Sequence, residues 1–163
     1  MGSLIHAGGS SNTFNEETNV FGFGRSSGFS VFENNLEQQD IVHVELEPNQ
    51  NMTSGGSPLL SVYVLTEVDK NAFLTGSTTL TQTNALFYSY NSGIVAGDRL
   101  GIVINNIDKT IDFYHNGQQA VGYTVDKTYP LEGGLYLTMG NRSAGSGSGT
   151  LKVFVGGDIK YPV

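Results

Sequence analysis

Apolar and polar positions alternate in twos along this chain from about Val20 to Val155, and no window carries a sustained 3.6-residue period with helix formers and caps. The predicted class is therefore all-β. Asp40 to Glu47 shows the pattern most plainly, with Val42, Val44 and Leu46 on one face and Ile41, His43 and Glu45 on the other, as in a strand that buries one side. Leu59 to Thr66 is a β-branched and aromatic run starting just after Pro58, where a proline is tolerated. Further strands are predicted at Thr78 to Thr83 and at Ala85 to Tyr90. Leu100 to Ile104 is apolar almost throughout and belongs in the middle of a sheet.

Turn chemistry orders the strands that follow. Asn105 to Lys109 supplies residues that tolerate positive φ, so Leu100–Ile104 and Ile111–His115 should form a hairpin. Asn116-Gly117 is the signature of a two-residue type I′ turn and should fold Gln118 to Val125 back on Thr110 to His115. Gly134 to Asn141, with Leu135, Leu137 and Met139 on one face, and Thr150 to Val155 close the chain; the stretch RSAGSGSG between them reads as a loop. Strands this short, without a long fixed repeat, predict one two-sheet antiparallel β-sandwich of jelly-roll type over residues 1–163, with at least ten strands.

Composition narrows the function classes. The 163 residues contain no cysteine, which excludes disulfides, thiolate nucleophiles and cysteine metal sites. Charged residues make up 14%, against roughly 25% in ordinary soluble domains. A surface rich in Gly, Ser, Thr and Asn points to an extracellular or virion-exposed setting rather than the cytoplasm. Net charge is −7 and the eight cations are scattered, which argues against a nucleic-acid or anionic-membrane partner. No apolar run approaches the roughly 20 residues of a membrane span, and Met1 to Ser11 lacks the regions of a signal peptide, so no membrane insertion is expected.

Ser92 to Gly117, SGIVAGDRLGIVINNIDKTIDFYHNG, resembles the core signature of SPRY domains: a Gly-Asp turn, a hydrophobic strand, a short Asp-containing turn and a strand ending in F-Y-x-N-G. The matching residues are Gly97, Asp98, Leu100, Gly101, Asp108, Ile111, Phe113, Tyr114, Asn116 and Gly117. Gly122, Tyr129-Pro130 and Leu151 to Gly157 continue it, while the tryptophan-free N-terminal half departs from it. The resemblance implies a SPRY-like, concanavalin-like sandwich whose edge loops recognise a protein surface or short peptide without catalysis. Sandwiches of this shape also serve as lectins and as decoration or adhesion modules on phage and virus particles.

Candidate sites divide on the same lines. Asp98 and Asp108 are read as acceptors for backbone N–H groups in their turns, and His43 and His115 as solvent-facing strand residues. Glu67, Asp69 and Asn71 are spaced to approach a cation but lack the length and glycine of an EF-hand loop, so no metal or cofactor is assigned. Glu45 and Glu47, the closely paired glutamates on a strand, read as a solvated face rather than a glycosidase pair. No G-x-S-x-G elbow or phosphate cradle is present, and no enzyme is expected. Tyr63, Tyr88 and Tyr90 offer rings with polar tips for a ligand, and Glu67, Asp69, Asn71 and Arg142 stand in the loops beside them.

The expected function is a non-enzymatic recognition or assembly module, contacting protein or glycan through loops 49–58, 67–76 and 142–149. Its expected setting is a homo-oligomer or a larger assembly such as a phage or viral surface, fibre or adhesion component. A carbohydrate-binding lectin and a SPRY-type peptide adaptor are the alternatives.

Overall fold

The computed structural model describes residues 4–6, 12–23, 28–33, 35–36, 39–52, 60–76, 85–91, 94–120, 123–124, 134–141, 148–155 and 158–162. The strands are β1 (Leu4–His6), β2 (Thr13–Asn15), β3 (Val20–Phe23), β4 (Gly28–Phe32), β5 (Ile41–Pro48), β6 (Leu60–Thr66), β7 (Phe87–Asn91), β8 (Leu100–Asn105), β9 (Thr110–His115), β10 (Gln118–Ala120), β11 (Tyr123–Thr124), β12 (Leu135–Asn141) and β13 (Gly149–Val155), with one helix, α1 (Glu67–Leu74). They form a six-stranded sheet ordered β1-β4-β12-β6-β7-β11 and a seven-stranded sheet ordered β10-β9-β8-β5-β13-β3-β2. Both sheets are antiparallel between neighbours.

Alternation explains the layering. Val42, Val44 and Leu46 of β5 join Leu100, Ile102, Ile104, Phe113, Leu151 and Val153 on the inner face of the seven-stranded sheet. Against them lie Leu60, Val62, Val64, Phe87, Leu135, Leu137 and Met139 of the six-stranded sheet, forming one core between the layers. Phe32 joins the core at the β4 end, with Phe14 edge-on to it at 5.0 Å and Phe21 tilted at 5.9 Å.

The six-stranded sheet is also closed on its outer side, which alternation alone does not require. Tyr63 and Leu65 stand between the core residues of β6, are 3% and 0% exposed, and cluster with Ala85; the Phe29 ring meets Tyr63 edge-on at 5.3 Å. Along β12 every residue from Leu135 to Gly140 is buried.

The β8–β9 hairpin expectation holds, and so does the turn at Asn116-Gly117. β8 pairs with β9 from Leu100↔His115 to Asn105↔Thr110, and β8 is interior, flanked by β9 and β5. Lys109 (φ 59°), Asn116 (φ 49°) and Gly117 (φ 81°) take up the left-handed region that the turns demand.

Two expectations are corrected. Gln118–Ala120 folds back on β9, but Tyr123–Thr124 pairs with β7 in the other sheet, so these residues belong to two layers instead of one strand. Residues 67–76, expected as a loop, begin with α1: Thr66 Oγ1 accepts from Asp69 N–H at 3.3 Å, and Glu67 and Asp69 occupy the first turn, where the helix dipole favours negative charge. Eight residues without an apolar stripe leave no periodic trace, so the T-x-x-D cap is the signal that counts. The strand expected at Thr78 to Thr83 lies outside the described residues.

Candidate ligand groove and the buried ionic seat

The residues singled out for chemistry scatter. Tyr63 is inside the outer cluster of the six-stranded sheet rather than on the surface. Backbone pairing sets Tyr88 opposite Tyr63, and Tyr90 opposite Ser61. Glu67, Asp69 and Asn71 lie on α1, where steps of two residues turn about 200° and so send Asp69 away from the other two. Asp69 is engaged as a capping partner of the Thr66 hydroxyl at 3.2 Å. Among the described residues no group of three or more metal-ligating side chains gathers. Arg142 lies outside the described residues.

Residues 49–50 and 148–150, at the ends of two of the expected loops, converge, while 53–59 and 142–147 lie outside the described residues. Asn49 Nδ2 donates to Thr150 Oγ1 at 2.9 Å, and Thr150 N–H donates to Gln50 Oε1 at 2.9 Å, tying the turn after β5 to the start of β13. Beside this junction the outer face of the seven-stranded sheet carries Thr13, Gly22 and Thr150 abreast on β2, β3 and β13. The central residue has no side chain, so a trough runs between the two threonines; a Cβ on Gly22 would come within 2.7 Å of Thr13 Oγ1.

The trough continues as two adjoining open depressions of about 310 and 590 Å³, which share Thr13, Gly22 and Thr150. Gln50, Ser148, Gly149 and Phe23 line one, and Phe14, Asn15, Thr18 and Val20 the other. Hydroxyls, amides and aromatic carbon thus meet, with no charged side chain among the described residues of either lining. The bond from Thr150 fixes the Gln50 amide and leaves its buried Nε2, next to Gly149, without a partner among the described residues.

A second cluster corrects the reading of Glu45 and Glu47 as a solvated strand face. Glu45 is 1% exposed. Its Oε1 accepts from Arg99 Nη1 at 2.8 Å and from Lys160 N–H at 2.6 Å, and its Oε2 from Tyr161 N–H at 3.1 Å. Arg99 Nε donates to Glu47 Oε2 at 2.6 Å, and its guanidinium lies 3.7 Å from the centre of the Phe154 ring. A buried carboxylate needs this many donors, since an unpaired buried charge is costly. Segment 158–161 therefore lies across the outer face of the seven-stranded sheet.

The neighbouring histidines also differ from expectation. His43 is half-buried, and its Nε2 has no hydrogen-bond partner among the described residues. Burial pushes its pKa below the usual 6.5, against the pull of Glu45 in the other direction. His115 Nε2 lies 2.9 Å from Asp98 Oδ2. Burial acts to raise the Asp98 pKa, but hydrogen bonds from Asn116, His115 and Val95 N–H, with the charge of His115, hold it below the usual carboxylate value.

The turn motif is thereby explained as scaffolding. Asn116 Oδ1 accepts from Arg99 N–H at 2.8 Å while its Nδ2 donates to Asp98 Oδ1 at 3.1 Å, so the Gly-Asp and Asn-Gly turns clamp one end of the β8–β9 hairpin. Asp98 accepts a backbone N–H from Val95, as expected. At the other turn the roles differ: Asn105 Oδ1 accepts the N–H groups of Ile107 and Asp108, and Asp108 accepts from the Asn105 amide.

With this geometry in place, the architecture matches solved structures. The SPRY domain of human HERC1 superposes with a TM-score of 0.55 at 13% identity, over 87% of this chain and 91% of that one. The chain has a SPRY-like, concanavalin-like fold. The carbohydrate recognition domain of Emp46p in its potassium-bound form aligns with a TM-score of 0.53 and 9% identity over 93% of this chain and 88% of its own. That of Emp47p aligns at 0.53 and 11% over 94% and 86%. No family model and no curated protein sequence matches the chain.

Proposed function

We propose that this SPRY-like sandwich is a non-catalytic recognition domain whose groove between Thr13, Gly22 and Thr150 takes a neutral, hydroxyl-rich ligand, a glycan. The observation carrying this reading is the lining: hydroxyls, carboxamides and the carbon of Phe14 and Val20, without a charged group among the described residues. Such a set exchanges hydrogen bonds with sugar hydroxyls while apolar carbon covers sugar C–H faces. Two of its structural neighbours carry the name of carbohydrate recognition domains, and fold likeness by itself leaves the ligand to be argued from the site. A phage or viral surface setting, or an extracellular one, rests on the weakly charged composition.

A glycan array followed by titration calorimetry tests the reading. Thr13→Val and Thr150→Val remove hydroxyls at nearly constant shape, and each should weaken the best glycan at least ten-fold; Thr13→Val should leave the melting temperature unchanged, while Thr150→Val also gives up the bond from Asn49. Binding that ignores both substitutions would move the site elsewhere. A polypeptide captured in place of any sugar would favour the peptide-adaptor reading instead.

A further inference from the structure

Segment 158–161 sits on the sheet as a ligand sits in a receptor. Its polar contacts to the seat are main-chain groups: Lys160 N–H and Tyr161 N–H on the two oxygens of Glu45, and the Asp158 carbonyl accepting from Arg99 Nη1 at 3.4 Å. Its one seated ring is Tyr161, packed on the Gly117 turn so closely that a Cβ there would lie 2.8 Å from the ring. Asp158, Lys160 and Pro162 are exposed, while Ile159 and Tyr161 are half-buried. The receptor half is built from strands: Glu45 lies inside β5, Arg99 adjoins β8, and the Asn116-Gly117 turn is clamped to Asp98 and Arg99. Between β13 and the segment the sequence reads Gly156-Gly157, a link of two residues.

We propose that the seat formed by Glu45, Arg99 and Gly117 is a peptide-docking site, and that two copies of this chain exchange segment 158–161 through it. The occupant is specified by the chain itself, because the seat already fits an Asp-Ile-Lys-Tyr stretch whose bend at Lys160 and Tyr161 turns two successive N–H groups onto one buried carboxylate. Each exchanged copy supplies Lys160 and Tyr161 to the partner's Glu45, so every hydrogen bond broken in one seat forms again in the other and no new interface chemistry is needed. In dilute solution the tethered segment wins, since a short link gives it an effective concentration of about millimolar. Crowding of many copies tips the balance toward exchange. This site is separate from the proposed glycan groove and stands whether or not that groove binds sugar.

The absence of cysteine makes the exchange directly countable. The Tyr161 Cβ lies 3.2 Å from where a Cβ on Gly117 would stand, close to the separation a disulfide spans. The full chain carrying G117C and Y161C, oxidised at rising concentration, should give monomeric disulfides when dilute and a growing share of covalent dimers near millimolar. Dimers absent at every concentration would overturn the proposal. Should the double variant fail to fold, the unaltered chain decides. Light scattering should show a concentration-dependent dimer that excess synthetic Asp-Ile-Lys-Tyr-Pro-Val returns to monomer, while the same peptide with alanine for tyrosine is at least ten-fold less effective. A chain that stays monomeric throughout, or a dimer indifferent to the peptide, would refute exchange.

Discussion

His43 and Glu45 stand two positions apart on the outward row of β5, and burial treats them differently. Glu45 collects three donors, whereas the His43 ring keeps a buried nitrogen with no partner among the described residues and is favoured in its neutral form. With the folded pKa below the unfolded 6.5, the unfolded chain binds more protons between the two values, so the stability from His43 is complete above about pH 6.5 and declines as pH falls toward the folded value. Denaturant midpoints across pH 5 to 7.5 should show this slope, and His43→Gln should flatten it. A His43 resonance titrating above 6.5 by NMR would contradict the account. Alternation placed both groups on the correct face of the strand, but their surroundings were illegible. The Arg99 partner of Glu45 lies 54 positions along the chain, and segment 158–161 closes over the carboxylate from farther still. A buried pair and a solvated pair leave the same local pattern.

At the scale of elements, the strands were readable because burial on one face imposes a period of two, and the Asn116-Gly117 turn because few residues accept positive φ. The split of β10 from β11 was not readable, since moving from one sheet to the other changes a strand's neighbours rather than its local composition. Helix α1 depends on its cap more than on its interior: it is too short to persist alone and holds to the six-stranded sheet by contacts such as Lys70 Nζ 3.9 Å from the Tyr136 ring centre. Thr66→Ala should therefore cost about 1 kcal/mol in chemical denaturation, with Thr66→Ser retaining most of it. An unchanged unfolding curve for Thr66→Ala would show that the helix is uncoupled from the sandwich.

Over the whole molecule, the two-layer arrangement was legible from strand count and turn spacing, while the groove was not. It arises where β2, β3 and β13 bring Thr13, Gly22 and Thr150 side by side across 137 positions of sequence, counting from 13 to 150, and a lone glycine between distant threonines carries no signature. Likeness to solved sandwiches at 9 to 13% identity makes the same point, because layered packing tolerates nearly any apolar set that fills it. The closure of both sides of β6 and β12 has a kinetic corollary. Their amides have neither a wet face nor a sheet edge from which to unzip, so deuterium should reach them only when the entire domain opens. In native-state exchange monitored by NMR, Val62 to Leu65 and Leu137 to Met139 should be the last protons to fade, well after those of the edge strands β2 and β10.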